Sequence, residues 1–453
     1  MKIKTNSNEI KPGDTFIAII GKNRDGHDYI EDAIKKGAAK IIAQYGEYNI
    51  ETEYVEDTKV YLENYIKDNY GEKIKKLKLI GITGTNGKTT SCFFIYQMLN
   101  KLNIPCAYIG TIGFYLQDEI ITLENTTPDI LELYQLLIKC VDKQIKYVAM
   151  EVSSHALDIG RVNGLEFDYA VFTNLTIDHL DYHENMENYA SCKQKLFFML
   201  KKDGIAIINN DDKKSDLMKV HHHNITYGFN KSDYQVLTFK MNSDQTVFKF
   251  AYQDKKYEVK TSILGKYNVS NLMTMIIVLN QEGIDLKNIV DKIPTLKAPP
   301  GRMDTVSYKN NTIIVDYAHT PDAVFNILNA VKEFSKGKIY SIIGCGGDRD
   351  KAKRNKMTHY STCLSDLSIL TSDNPRNEDA KSIINDMLTD IVKTNYKIVV
   401  DRKEAIKYGI DLLQENDILV ILGKGHEDYQ IIGDKKLYHN DKEYVLELCK
   451  RGD

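Results

Sequence analysis

The chain has 453 residues, 42% hydrophobic and 27% charged, with 60 Lys and Arg against 63 Asp and Glu for a net charge of −3. That length suits about three domains, and the balance is that of a globular protein. A charge so close to zero excludes a general pull toward nucleic acid or an anionic membrane, so any phosphate binding must be local.

Residues 1–8 lack the apolar core of a signal peptide, and no run of ~18 apolar residues is available to span a bilayer. Seven scattered cysteines, with no Cys-x-x-Cys pair, predict buried thiols in a reducing compartment rather than zinc ligands or disulfides. The expectation is a cytoplasmic protein with no membrane insertion and no nucleic-acid partner.

Residues 1–77 mix a short strand, Thr15–Ile20, with a helix around Tyr29–Lys36 and end in a polar helix, Val60–Lys76. From Leu77 strands alternate with helices: strand Lys78–Ile82, helix Ser91–Leu102, then strands Tyr147–Met150, Ala170–Thr173 and Ile205–Ile208. That alternation predicts a mainly parallel sheet covered on both faces. Residues 224–262 read as antiparallel strands, followed by a helix from Asn268 to Gln281. The break Ala298-Pro299-Pro300-Gly301-Arg302 marks a domain boundary. Strands then recur at Thr312–Val315, Ile339–Ile343, Leu367–Leu370, Lys397–Val400 and Ile418–Leu422. The fold class is therefore α/β in three domains, 1–77, 78–299 and 300–453.

The strongest local motif is Gly81-Ile82-Thr83-Gly84-Thr85-Asn86-Gly87-Lys88-Thr89-Thr90, set between a strand and a helix. Glycines let the backbone curl its N–H groups around a polyphosphate, the helix N-terminus adds partial positive charge, Lys88 reaches the phosphates and Thr89 suits Mg2+. Ile82 stands where the general motif has glycine, so the competing reading is a glycine turn capped by threonine. Glu151 and the segment Asp178–His183 follow strands that should end beside this loop, at the carboxyl edge where ligands collect. A carboxylate and an imidazole there can complete a magnesium site, although each alone is more often a cap or a solvated side chain. His221-His222-His223 reads as exposed loop, because consecutive side chains diverge, and Arg451-Gly452-Asp453 as a plain tail.

Gly-Thr-Asn-Gly-Lys-Thr-Thr resembles the ATP loop of the Mur ligase family, and the resemblance runs along nearly the whole chain. It implies an N-terminal uridine-binding domain, a central P-loop domain and a C-terminal Rossmann-like domain. It implies that Gly84, Thr85, Asn86, Gly87, Lys88, Thr89, Thr90 and Asn268 bind ATP, joined by Arg302 or Asp316 when the third domain closes. Thr89, Glu151, His179 and a carbamylated Lys193 are implied as Mg2+ ligands, with Lys88, His179 and Lys193 the catalytic set.

Ser7, Lys22, Asn23, Arg24, Asn125, Thr126, Thr127, Ser153 and Arg161 are implied to hold a UDP-linked muramoyl peptide. Asn6-Ser7-Asn8 departs from the family's Asp-Ser-Arg, and Ile159 replaces a glutamine. Arg349, the Asp373-Asn374-Pro375-Arg376 run, Gly423 and Glu427 resemble the site for a diamino acid. That four-residue form is associated with meso-diaminopimelate, whose distal carboxylate a guanidinium binds bidentately where lysine offers none. The resemblance thus implies an ATP-dependent amide ligase joining meso-diaminopimelate to UDP-N-acetylmuramoyl-L-alanyl-D-glutamate, working as a monomer. Lysine or a diaminopimelate analogue such as lanthionine remains an alternative amino acid, and a P-loop ATPase that moves partners is an alternative of another class.

Overall fold

The computed structural model describes residues 2–21, 24–242 and 245–451. Three parallel-rich sheets follow one another along the chain, with a small hairpin at Tyr429–Ile432 and Lys435–Tyr438. The first is a four-stranded parallel sheet from Ile3–Lys4 to Thr52–Tyr54. Its buried Ile17 and Ile42 share a core with Leu133 and Leu137 of the helix Ile130–Asp142, through Leu62 and Ile66 of the helix Thr58–Ile66. Asp57 starts that helix by accepting from the Lys59 and Val60 N–H groups, and beyond Ile66 the coil widens through Lys67–Gly71.

The middle sheet has eleven strands, with Lys78–Thr83 between Phe167–Phe172 and Tyr147–Glu151. These strands carry near-continuous apolar runs because both faces are covered. The expected antiparallel region is corrected in part. Asn224–Gly228 pairs parallel with Leu200–Asn209, and Tyr234–Met241 touches it in parallel at two residue pairs. Gly228, at φ 156°, and the Asp211 carboxylate, which accepts from the Phe229 and Asn230 N–H groups, turn the chain across instead of back. Thr246–Tyr252 and Lys255–Thr261 are antiparallel as expected. The helix Lys266–Gln281 packs on the helix Lys88–Lys101 above this sheet.

The third sheet has six strands, all parallel except for the leading hairpin of Asp304–Tyr308 with Asn311–Asp316. The strands at Ile339–Ile343, Leu367–Leu370 and Ile418–Leu422 fall where the apolar runs put them. Of the histidine tract, His221 is partly buried against the Lys201 carbonyl and rests on His222.

At the amino edge of the middle sheet, Glu282 receives Lys78 Nζ at 2.6 Å, the Tyr147 hydroxyl at 2.6 Å and the Tyr169 hydroxyl at 2.7 Å. This carboxylate ties three neighbouring strands to the end of a helix. Glu282→Ala should lower unfolding stability by about 2–3 kcal/mol, read from denaturant midpoints at unchanged slope.

Candidate functional site

The strand Lys78–Thr83 ends in a loop whose Gly84 and Gly87 have φ of 150° and 86°. A Cβ at Gly84 would stand 1.9 Å from Thr173 Oγ1, so the loop is fitted against the neighbouring strand's end as well as bent. The helix Lys88–Lys101 starts directly after it, aiming its first N–H groups over the sheet edge. Lys88 Nζ is folded back onto the Gly84 and Thr85 carbonyls, at 2.8 Å each. Lys193, 1% exposed on the helix Met186–Phe198, donates to the same Gly84 carbonyl at 2.9 Å and lies over the Tyr189 ring. Burial pulls both ammoniums below their ordinary range, and Lys88 lowers Lys193 further.

Glu151, fully buried at its strand's end, accepts from Thr89 Oγ1 at 3.0 Å, from Thr111 N at 2.8 Å and from the Tyr108 hydroxyl. A carboxylate and a hydroxyl at that separation are hard oxygen donors of the kind Mg2+ takes alongside phosphate oxygens. Among the described residues no three His, Cys, Asp or Glu side chains stand together as a metal set. His179, at a left-handed φ of 53°, donates its backbone N–H to Asp178 and lies in a ring cluster with His155 and Tyr189. Desolvation draws its imidazole below the usual histidine range against the opposing pull of Asp178, 3.4 Å away, while the side chain itself stays exposed.

The third sheet's leading segment closes over this edge. Arg302 Nη2 donates to Thr89 Oγ1 at 3.3 Å while its guanidinium stacks on Tyr317. Asp322, at the start of the helix Pro321–Phe334, accepts from Asn86 Nδ2 at 2.8 Å and Thr176 Oγ1 at 3.3 Å. Gly301 has φ 65°, and a Cβ there would meet the His426 nitrogen at 2.1 Å. Asp316 is committed to backbone, accepting from the Met303 and Ala318 N–H groups. Asn268 is also committed, donating to the Leu264 carbonyl while Asn271 bridges it to Ser91.

Around Glu151 the structure gathers Thr126, whose hydroxyl is 3.0 Å from that of Thr111, and Thr127, which donates to the Glu151 carbonyl at 2.9 Å. Ser153 caps the next helix, Arg161 Nη1 donates to the Thr127 carbonyl at 3.0 Å, and Asn125 lies half-buried nearby in sequence. In the first sheet Ser7 donates to Asp32 at 2.7 Å and Arg24 is exposed. Lys22 and Asn23 lie outside the described residues.

The remaining predicted residues meet at the carboxyl edge of the third sheet. Asn374 Nδ2 donates to Glu427 at 3.0 Å, and fully buried Lys424 donates to Asn374 Oδ1 at 2.9 Å. Arg376 follows Pro375 at a left-handed φ of 51°, held by its N–H on the Ile431 carbonyl and by Gly433 N–H on its own carbonyl. Its Nη1 donates to the Gly347 carbonyl at 2.9 Å. Exposed Arg349 shares a cleft of about 550 Å³ with Asp181 and Glu378. Gly423, at φ 112°, lies against the Asp373 carboxylate. Burial raises the Glu427 carboxyl, and Asp373 adds to the rise. Sequence reading did not single out Asp322, Lys424, His426 or Arg402. Lys424 and His426 lie within the Gly423–Glu427 stretch that resembles the family and Asp322 lies six residues after Asp316, whereas Arg402 has its partners at 373 and 441, far from any local signal.

Family models match in chain order: "Mur ligase family, catalytic domain" over residues 2–83, "Mur ligase middle domain" over 82–279 and "Mur ligase, glutamate ligase domain" over 301–425. A UDP-N-acetylmuramoyl-L-alanyl-D-glutamate–2,6-diaminopimelate ligase of Clostridium tetani is 42% identical over 99% of this chain and 94% of its own. The enzyme of that name from Bacillus cereus is 39% identical over 98% and 93%. A solved structure under the same name covers 100% of this chain and 95% of its own at 32% identity and TM-score 0.68. A MurF ligase of Thermotoga maritima, solved with ADP, has the same fold at 19% identity, TM-score 0.68 and coverage of 99% and 97%.

Two desolvated ammoniums on one carbonyl, Lys193 buried and Lys88 half-buried, have a cost that titration can expose. The unfolded chain holds the Lys88 proton up to the ordinary value of 10.5, while the folded chain gives it up earlier. Between those values the unfolded state binds more protons, so stability rises with pH and the cost is complete at lower pH. Lys88→Met without nucleotide should therefore melt above the wild type at neutral pH, and the difference should shrink as pH is raised toward 10.5.

Proposed function

Because the chain belongs to the Mur ligase family, we propose that it joins meso-diaminopimelate to the D-glutamate of UDP-N-acetylmuramoyl-L-alanyl-D-glutamate at the expense of ATP, in peptidoglycan precursor synthesis. In this reading residues 1–77 hold the uridine end, 78–299 the nucleotide and acyl group, and 300–453 the diamino acid. What supports it is the contact of Arg302 with Thr89, which joins the leading segment of the third sheet to the phosphate loop, while His426, beside Glu427, packs on the same Tyr317 ring as the Arg302 guanidinium.

The loop N–H groups and Lys88 bind the polyphosphate, with Arg302 as a second cation across it. The glutamate carboxylate oxygen attacks the γ-phosphorus, the bond to ADP breaks, and an acyl phosphate forms. The amine of diaminopimelate then attacks the acyl carbon, phosphate departs with the bonding pair, and the amine's proton is released. Thr89 and Glu151, with His179, would hold Mg2+, which supplies charge neutralisation at the phosphate oxygens. Thr126, Thr127, Ser153 and Arg161 line the muramoyl-peptide side, and closure of the third sheet excludes water from the acyl phosphate. Purified protein given UDP-muramoyl dipeptide, ATP and candidate amino acids tests the whole reading by product mass. ATP hydrolysis with no new amide would refute it.

Lys193 has the environment that carbamylation needs, since the neutral amine attacks CO2 and burial favours that form. Forming the carbamate from the neutral amine releases one proton and places an anion where a neutral nitrogen stood. Native mass should rise by one CO2, and Lys193→Ala should lose most activity and regain part of it with a short carboxylate. An unmodified mass in active enzyme refutes the assignment.

Arg376 spends only Nη1 on the protein among the described residues, which leaves donors for a distal carboxylate. Arg376→Ala should raise the KM for diaminopimelate roughly tenfold to a hundredfold, leave the KM for ATP nearly unchanged, and leave lysine a poor substrate in both proteins.

A further inference from the structure

Beneath the proposed diamino-acid pocket lies a charged group that its chemistry has not yet used. Arg402 opens the helix Arg402–Asp411 and its side chain is 1% exposed. Its Nε donates to Asp441 Oδ1 at 2.8 Å, and its Nη2 to Asp441 Oδ2 at 2.7 Å and to the Leu422 carbonyl at 2.9 Å. Nη1 is buried with no hydrogen-bond partner, 3.9 Å from Asp373 Oδ2, which is itself buried without one. Unpaired buried polar atoms are costly, and a cation and a carboxylate left facing each other point to a function for the pair.

The neighbours narrow that function. Glu427 presses on Asp373 with like charge, whereas Tyr317, Tyr429 and Cys345 approach it as neutral groups. Lys424 is spent on Asn374, Glu427 and the Tyr429 carbonyl. Lys424 offsets Glu427, which leaves Arg402 as the cation facing Asp373. Gly423 keeps the approach open, because a Cβ there would lie 2.6 Å from Asp373 Oδ2. With Oδ2 turned inward, Oδ1 is the oxygen left to meet a ligand.

We propose that Arg402 is a positioning residue for an ammonium group of the diamino acid, acting through Asp373: it anchors the inner oxygen so that the outer one is aimed and charged. This rests on the reading that Asp373 and Glu427 belong to the diamino-acid pocket.

Removing Arg402 alone would strand Asp441 in the interior, so the test neutralises both members of the pair with Arg402→Gln/Asp441→Asn. The expected result is a KM for diaminopimelate raised about tenfold or more, with kcat and the KM for ATP within about threefold of wild type. Arg402→Lys, which keeps the charge, should recover most of the loss. In an Asp373→Asn background the double change should add less than about twofold, since the group it acts through is gone. An unchanged KM for diaminopimelate, an equal loss in Arg402→Lys, or a full further loss on top of Asp373→Asn overturns the proposal. If the protein is unstable enough to lose kcat and every KM together, Arg402 is purely structural and the proposal also fails. Wild-type protein that forms no amide with diaminopimelate at all would instead remove the functional reading on which it rests.

Discussion

The Gly84 carbonyl is the point on which this molecule turns. Two lysines, one from the loop's own helix and one from a helix more than a hundred residues later, direct their ammoniums to that single oxygen inside a desolvated edge. Two lysine nitrogens are therefore gathered before any ligand arrives, at the place where three strands end and a helix begins. A polyphosphate entering there meets field that water would otherwise have screened. Glu151 lies within the same edge but is committed to Thr89, Thr111 and Tyr108, which keeps the opposite charge from collapsing onto the lysines.

The first and third sheets relate to this edge in different ways. The first is joined to the middle sheet through a shared apolar core, so its orientation is set by close packing. The third reaches the phosphate loop through polar contacts, Arg302 on Thr89 and Asp322 on Asn86 and Thr176. Such contacts exchange readily with water and with ligand oxygens, whereas a buried apolar seam does not. The third sheet is also packed through Met303 on Leu264 and Tyr267, so its seam is apolar on that side and polar where it meets the phosphate loop, which is the part that ligand oxygens can enter.

Much of this was legible in the sequence because the chemistry is local. Glycines that curl a loop, a lysine at a helix start and apolar strand runs are properties of a few consecutive residues, and the loop and the inner strands follow from them, whereas the Asn374–Glu427 neighbourhood rests on the resemblance to the family. What was illegible is long-range or depends on how a loop crosses. The parallel contact of Tyr234–Met241 depends on one carboxylate, Asp211, capturing two N–H groups nineteen or so positions away. Asn268 and Asp316 are implied by the resemblance to bind ATP yet turn their polar atoms to backbone or to a neighbouring amide, because a resemblance gives a residue's place without its direction. Arg402 carries no motif, and its partners lie on either side of it at great sequence distance.

Gly301 gives the molecule a mechanical property. The chain enters the third sheet here, and a β-carbon would strike the main-chain nitrogen of His426. Its carbonyl also accepts from the Tyr317 N–H, so the entry strand and the turn that bears Glu427 are locked to a common pivot. A swing of the third sheet cannot leave that turn behind. The Asn374–Glu427 pocket therefore travels as cargo on the crank that carries it, and the angle of the crank sets how far that pocket stands from the phosphate edge.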